Sequence, residues 1–140
     1  DVTWFSPSGK DMTDQDWSGF VRCMGMRLAG DVIGETDERG EPIVGDTLLV
    51  LMNAHHEPIP FTLPVTNEGH AWERVFDTAD DALGATTFGK DAQYQLRDRS
   101  VAVFRTRPLA EATGPTALQL EAIRREAQRA GAPANVGKTL

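Results

Sequence analysis

Between Thr47 and Asn53 the chain passes through Leu48, Leu49, Val50, Leu51 and Met52 without a polar side chain. Residues 47–54 are therefore an apolar run short enough to be a strand buried on both faces, too short for a core helix and far too short for a membrane span. The run predicts a central strand, with Leu49 and Leu51 on one face and Leu48 and Val50 on the other. A fold built around such a strand must draw its neighbours from the rest of the chain.

Those neighbours read as short strands separated by turn chemistry. In residues 20–28, Phe20, Met24, Met26 and Leu28 share one parity, the period of a half-buried strand, although Val21 and Cys23 interrupt it. Residues 31–46 are rich in Gly, Glu and Asp, and Glu38-Arg39-Gly40-Glu41-Pro42 carries the residues of a long loop or hairpin. Residues 59–63 lie among Pro58 and Pro60, which cannot donate to a ladder and push this strand to an edge. Further short strands are predicted at 71–76, 94–96 and 100–105. With no helical period between them, the pattern predicts an all-β, antiparallel, Greek-key-like sandwich over residues 20–107. Residues 1–19, with Trp4, Phe5 and Trp17 around a polar stretch, read as an irregular lead-in. Beyond Pro108 the period changes: Leu120, Ile123, Ala127 and Ala130 predict an amphipathic helix over 116–130 within a tail of 108–140.

Charge narrows the partners. The formal charge is −7; residues 1–107 carry −8 and the tail +1. Nucleic acid and anionic membrane are disfavoured, because both are recognised by clustered Lys and Arg. Cys23 is the single cysteine, which excludes an intramolecular disulfide and a multi-thiolate zinc site and suits a reducing compartment, the cytoplasm. The N-terminus lacks the order of a signal peptide, and a chain that starts at Asp1 is expected to be a piece of a longer one.

The chemistry-bearing motifs are weak. Gly137-Lys138-Thr139 ends like a phosphate loop, but Ala132 stands where that motif needs glycine. His55, His56 and Glu57 offer ligand atoms, yet adjacent residues at a strand end are expected to point apart and not to chelate. The carboxylates of Asp11, Asp14 and Asp16 and of Asp77, Asp80 and Asp81 lie in polar turns, without the apolar pocket that raises an acid's pKa; Asp77 is expected to bond the backbone of the following turn. No catalytic residue, cofactor site or metal site is predicted. Trp72, at the start of a strand, is expected in the core. Trp4, Phe5 and Trp17 are the candidate surface, either for packing on another protein body or for contacting a glycan.

The order of landmarks resembles a known family. The segment Trp4-Phe5-Ser6-Pro7 through Asp16-Trp17, then Met24-Gly25-Met26-Arg27-Leu28-Ala29-Gly30, residues 46–54, Phe61-Thr62-Leu63-Pro64, Trp72-Glu73-Arg74-Val75-Phe76-Asp77 and Arg99-Ser100-Val101-Ala102-Val103-Phe104 are similar, in succession, to the last domain of isoamylase-type bacterial glycogen-debranching enzymes. The resemblance implies a C-terminal β-sandwich whose parent hydrolyses α-1,6 branch linkages with carboxylates on an upstream (β/α)₈ barrel. No position here matches those carboxylates, and a barrel of at least about 200 residues does not fit in this chain. The implied role is non-catalytic, with the barrel as partner. Its rivals are an α-glucan-binding module and a free-standing domain that forms a weak homodimer when isolated. The fate of Trp4 and Trp17 distinguishes them.

Overall fold

The computed structural model describes residues 1–30, 34–89, 91–109 and 124–129. Up to residue 109, the described residues form β1 (Val2–Phe5), α1 (Asp14–Ser18), β2 (Cys23–Leu28), β3 (Leu48–Asn53), β4 (Ile59–Thr62), β5 (His70–Asp77), β6 (Thr87–Phe88), β7 (Gln93–Leu96) and β8 (Ser100–Pro108). They form a six-stranded sheet, β1-β2-β3-β8-β5-β6, and a two-stranded sheet, β4-β7. Every pairing is antiparallel. The all-β sandwich expected from the turn-separated runs is the fold.

The predicted central strand occupies an interior position, β3, between β2 and β8. It is fully buried on one face only: Leu49 and Leu51 are inaccessible, whereas Leu48, Val50 and Met52 are half-buried. Between the sheets, Leu49, Leu51, Ala102 and Phe104 meet Phe61, Leu63, Tyr94 and Leu96. Trp72 is buried as expected, and its indole Nε1 donates to Pro64 O at 2.9 Å, so the ring's polar atom is satisfied in the core.

Two expectations need correction. In β2 the apolar parity does not face the core; Cys23 and Gly25 do, while Met24 and Met26 are half-buried on the other side. The reason is space: a Cβ on Gly25 would stand 2.9 Å from Phe61 Cζ and 3.1 Å from Leu51 Cδ2, so the inward position must lack a side chain. Burial also pushes the Cys23 thiol up to about 11, which makes it a small core residue rather than a nucleophile.

The lead-in is more regular than its polar composition suggests. β1 pairs with β2 from Val2–Leu28 to Phe5–Gly25, and α1 starts at a capping box in which Thr13 Oγ1 accepts from Asp16 N while Asp16 Oδ2 accepts from Thr13 N. The turn between them lies along the small sheet, with Thr62 N donating to Pro7 O at 2.8 Å. Gly9 makes that approach possible: its φ is +78° and an added Cβ would be 2.6 Å from Thr62 O. Within the expected 31–46 hairpin, Thr36 and Pro42 form a bridge and Gly40 turns the tip at φ +79°. Of the predicted 116–130 helix, residues 124–129 are helical and exposed; the remainder lies outside the described residues.

Candidate docking face and loop cleft

Register places two apolar rows on the face of the large sheet that points away from the core. The first crosses five strands: Trp4, Met26, Val50, Val103 and Phe76 are cross-strand partners in succession. The second is Met24, Met52 and Val101. At about 4.8 Å per strand the first row is about 19 Å wide. All of these side chains are half-buried except Phe76, which is 48% exposed. A β-bulge between Arg74 and Phe76 adds Val75, also 48% exposed, beside it. An antiparallel sheet with a solvated outer face alternates apolar-in with polar-out. The middle of this sheet is apolar on both faces, which makes the outer one a candidate interaction surface.

Trp17 extends the surface past the sheet edge. It is 47% exposed and meets Trp4 edge-to-face, with ring centroids 5.7 Å apart and planes at 80°. Perpendicular rings do not form the coplanar platform on which consecutive sugars would stack. Phe5, grouped with the tryptophans in the sequence, is corrected to the core: alternation along β1 turns it inward, where it is buried. The rest of the surface was missed because Met24, Met26, Val101 and Val103 look like ordinary core residues until register assigns their side. At one end the next row becomes charged. Arg105 Nη2 lies 2.8 Å from Glu73 Oε1, and Arg107 Nε 3.6 Å from the same oxygen. The Arg105 hydrogen bond holds the Glu73 carboxyl below its ordinary range, against an opposing effect of burial.

A second cluster lies where the strand ends meet. Asn53, buried at the end of β3, donates through Nδ2 to the carbonyls of Glu57, Leu96 and Arg97 and accepts from His55 N through Oδ1. This fixes the bend after β3, so strand alternation no longer governs His55 and His56. Their rings lie 4.2 Å apart, and their Nε2 atoms are 3.7 and 3.9 Å from the Glu57 carboxylate. The expectation that these side chains diverge is therefore corrected: their three ligand atoms fall within 4.8 Å of one another. The donor set nevertheless suits hydrogen bonding better than metal. Arg22 Nη1 is 3.3 Å from His55 Nδ1, and a guanidinium only donates. In the neutral ring the proton then sits on Nε2, directed at Glu57, where a metal would need a lone pair. Arg99 closes the cluster; its φ of +47° is a left-handed conformation that costs about 1–2 kcal/mol for a side-chain-bearing residue, and its N–H donates to His55 O at 3.1 Å.

Of the aspartates, Asp77 behaves as expected, accepting from Ala79 N at 2.9 Å. It is also buried and accepts from the Tyr94 hydroxyl. That hydroxyl in turn lies 3.4 Å from Arg74 Nη1, while Arg74 Nη2 donates to Gly84 O and Thr86 Oγ1. Burial, and secondarily the Asp77 carboxylate, raise the Tyr94 phenol above its ordinary range. This chain of contacts ties β5 to β7 and to the turn before β6. Among the described residues no helix is long and apolar enough to cross a membrane.

A family model described as "Isoamylase, C-terminal" matches residues 1–105. A "Glycogen operon protein GlgX homolog" of Mycobacterium tuberculosis (strain H37Rv) is 40% identical over 81 residues, covering 57% of this chain and 11% of the relative. The "Isoamylase" of Pseudomonas amyloderamosa is 28% identical over 88 residues, covering 62% of this chain and 10% of that protein. The matched part of the chain thus spans about a tenth of the length of these relatives.

Proposed function

This chain belongs to the isoamylase C-terminal domain family, and from that premise we propose that it is the non-catalytic C-terminal β-sandwich of a glycogen-debranching enzyme, bedded through its outer sheet face against the catalytic barrel. The parent's reaction is hydrolysis of α-1,6-glucosidic branch linkages in glycogen or limit dextrin, and its compartment is the cytoplasm, where a single reduced cysteine is at home. The observation that carries the docking role is the five-strand apolar row from Trp4 to Phe76, continued by Trp17. A sheet whose backbone is already paired offers a partner only its side chains. An apolar row of this width suits the helices that form the outer ring of a (β/α)₈ barrel.

The test is association of this chain with the separately produced remainder of the parent enzyme. The double variant Met26→Glu, Val103→Glu should weaken association at least tenfold by sedimentation while leaving the far-ultraviolet dichroism of the isolated domain unchanged, because neither side chain belongs to the buried core. Unaltered association would remove the outer face from the interface. An isolated chain held together as a dimer through this face would favour the homodimer reading.

The non-catalytic role has its own expected result. Incubated with glycogen or pullulan, the isolated chain should release no reducing ends above a buffer control, since Asp16 and Asp80 accept from turn or cap backbone N–H groups and Asp77 is held in the Tyr94–Arg74 network. Release that disappears on substituting any of them would overturn it.

A further inference from the structure

We propose that the cleft beside Phe20 is a binding site for a neutral carbohydrate, an α-linked glucose oligomer; the choice of α-glucan among carbohydrates rests on the function proposed above. The cleft holds about 350 Å³ and is lined by Phe20, Arg22, His55, His56 and Arg99 among others. That lies within the range of small-ligand sites, about 300–1,000 Å³. It shares no residue with the two apolar rows of the docking face.

Three observations point to a sugar. Phe20 is 84% exposed, the highest exposure among the large hydrophobic residues described, yet it is not loose: the Arg22 guanidinium lies 4.7 Å from its ring centroid. A ring with a cation on one face and the other open offers an apolar plate to the C–H face of a pyranose. Around it stand planar, multivalent hydrogen-bonding groups suited to hydroxyls: His56 is 72% exposed, Arg99 73% and the adjoining Glu57 69%. These groups are pre-set. Asn53 fixes the His55–Glu57 bend, and Arg99 keeps its left-handed conformation with its N–H on His55 O.

Charge separates this ligand from the other two classes that such residues serve. Arg99 is paired with Asp98 at 3.1 Å, and the Glu57 carboxylate lies beside both imidazoles, so the cations are largely offset and the site does not have the excess positive charge that selects phosphate. A metal would have to displace the Arg22 guanidinium from His55 Nδ1. A neutral polyhydroxylated ligand requires neither change.

Titration of the ¹⁵N-labelled chain with maltoheptaose, with cellohexaose and with Zn²⁺ tests the proposal. Maltoheptaose should give saturable shifts at residues 20–22, 55–57 and 98–99. Phe20→Ala should weaken binding at least tenfold and Glu57→Gln severalfold; Trp17→Ala should leave it unchanged, and dichroism should confirm that each variant is folded. Equal binding of cellohexaose, lost in Phe20→Ala, would keep the carbohydrate site but overturn its assignment to α-glucan. No saturable shift with either sugar, or one insensitive to Phe20→Ala, overturns the site, as does a response of the histidines to Zn²⁺ alone. Each of these outcomes is independent of whether Met26→Glu, Val103→Glu breaks docking.

Discussion

Leu51→Ala, and separately Leu49→Ala, will lower the unfolding free energy of the chain by about 2–5 kcal/mol, whereas Val50→Ala will cost no more than about 1 kcal/mol. The three residues are consecutive in one strand and similar in hydrophobicity. What separates them is the side of the sheet. Leu49 and Leu51 are inaccessible and packed between two layers, so truncation leaves a void that Phe61 and Phe104 cannot fill without moving their own rings. Val50 lies on the outer face, half-buried by its strand neighbours only, and loses little on truncation in the isolated domain. Urea denaturation midpoints, with the slope checked for constancy, measure the difference. Equal losses at Val50 and Leu51 would mean that the isolated domain already buries its outer face.

Asp77→Ala will destabilise the domain by about 3–5 kcal/mol, more than a turn-capping aspartate could explain. An exposed cap costs about 1 kcal/mol on removal. Asp77 is buried and supports three groups: Ala79 N, the Tyr94 hydroxyl and, through that hydroxyl, the buried Arg74 guanidinium. Arg74 already has an Nε without a hydrogen-bond partner, so its charge has little other compensation. Without the carboxylate, the Tyr94 O–H donor and a buried cation are stranded at low dielectric. Asp77→Asn keeps an acceptor and should lose less, and Arg74→Met added to Asp77→Ala should recover part of the loss, because the stranded charge is then gone. The same urea measurements decide this. A loss of 1 kcal/mol or less for Asp77→Ala would show that Arg74 is solvated by water rather than by this network.

The two experiments fall on opposite sides of what the sequence made legible. The apolar run of residues 47–54 announced β3, the prolines around Ile59 announced an edge strand, and the glycine and proline clusters announced the connections, because strand period and turn stereochemistry are local properties. Trp72 was legible as core and Asp77 as a turn residue. Illegible were β1, whose four residues are too few to show a period, the two-residue β6, and the capping box of α1 at Thr13 and Asp16, a local signal that the aspartate-rich stretch concealed.

The candidate sites were legible only in part, for a reason of kind rather than of detail. Trp4 and Trp17 drew attention as aromatics outside any clear strand, but that they meet each other at the end of a five-strand apolar row depends on registers that join residues as far apart as Leu48 and Arg105. His55 and His56 appeared divergent because strand alternation was applied one residue too far; the side chain of Asn53, bonded to carbonyls 43 and 44 residues away, overrides it. Phe20 seemed part of a strand's buried parity, and only the start of β2 at Cys23 leaves it standing in solvent. By itself the sequence determined six of the strands, β2 to β5, β7 and β8, since these follow from period and turn chemistry. Tertiary structure decided which side of β2, β3 and β8 became core and which became surface. A period of two specifies that alternate residues share a face, but which face is covered depends on the second sheet, and here the volume of Phe61 against Gly25 decided it.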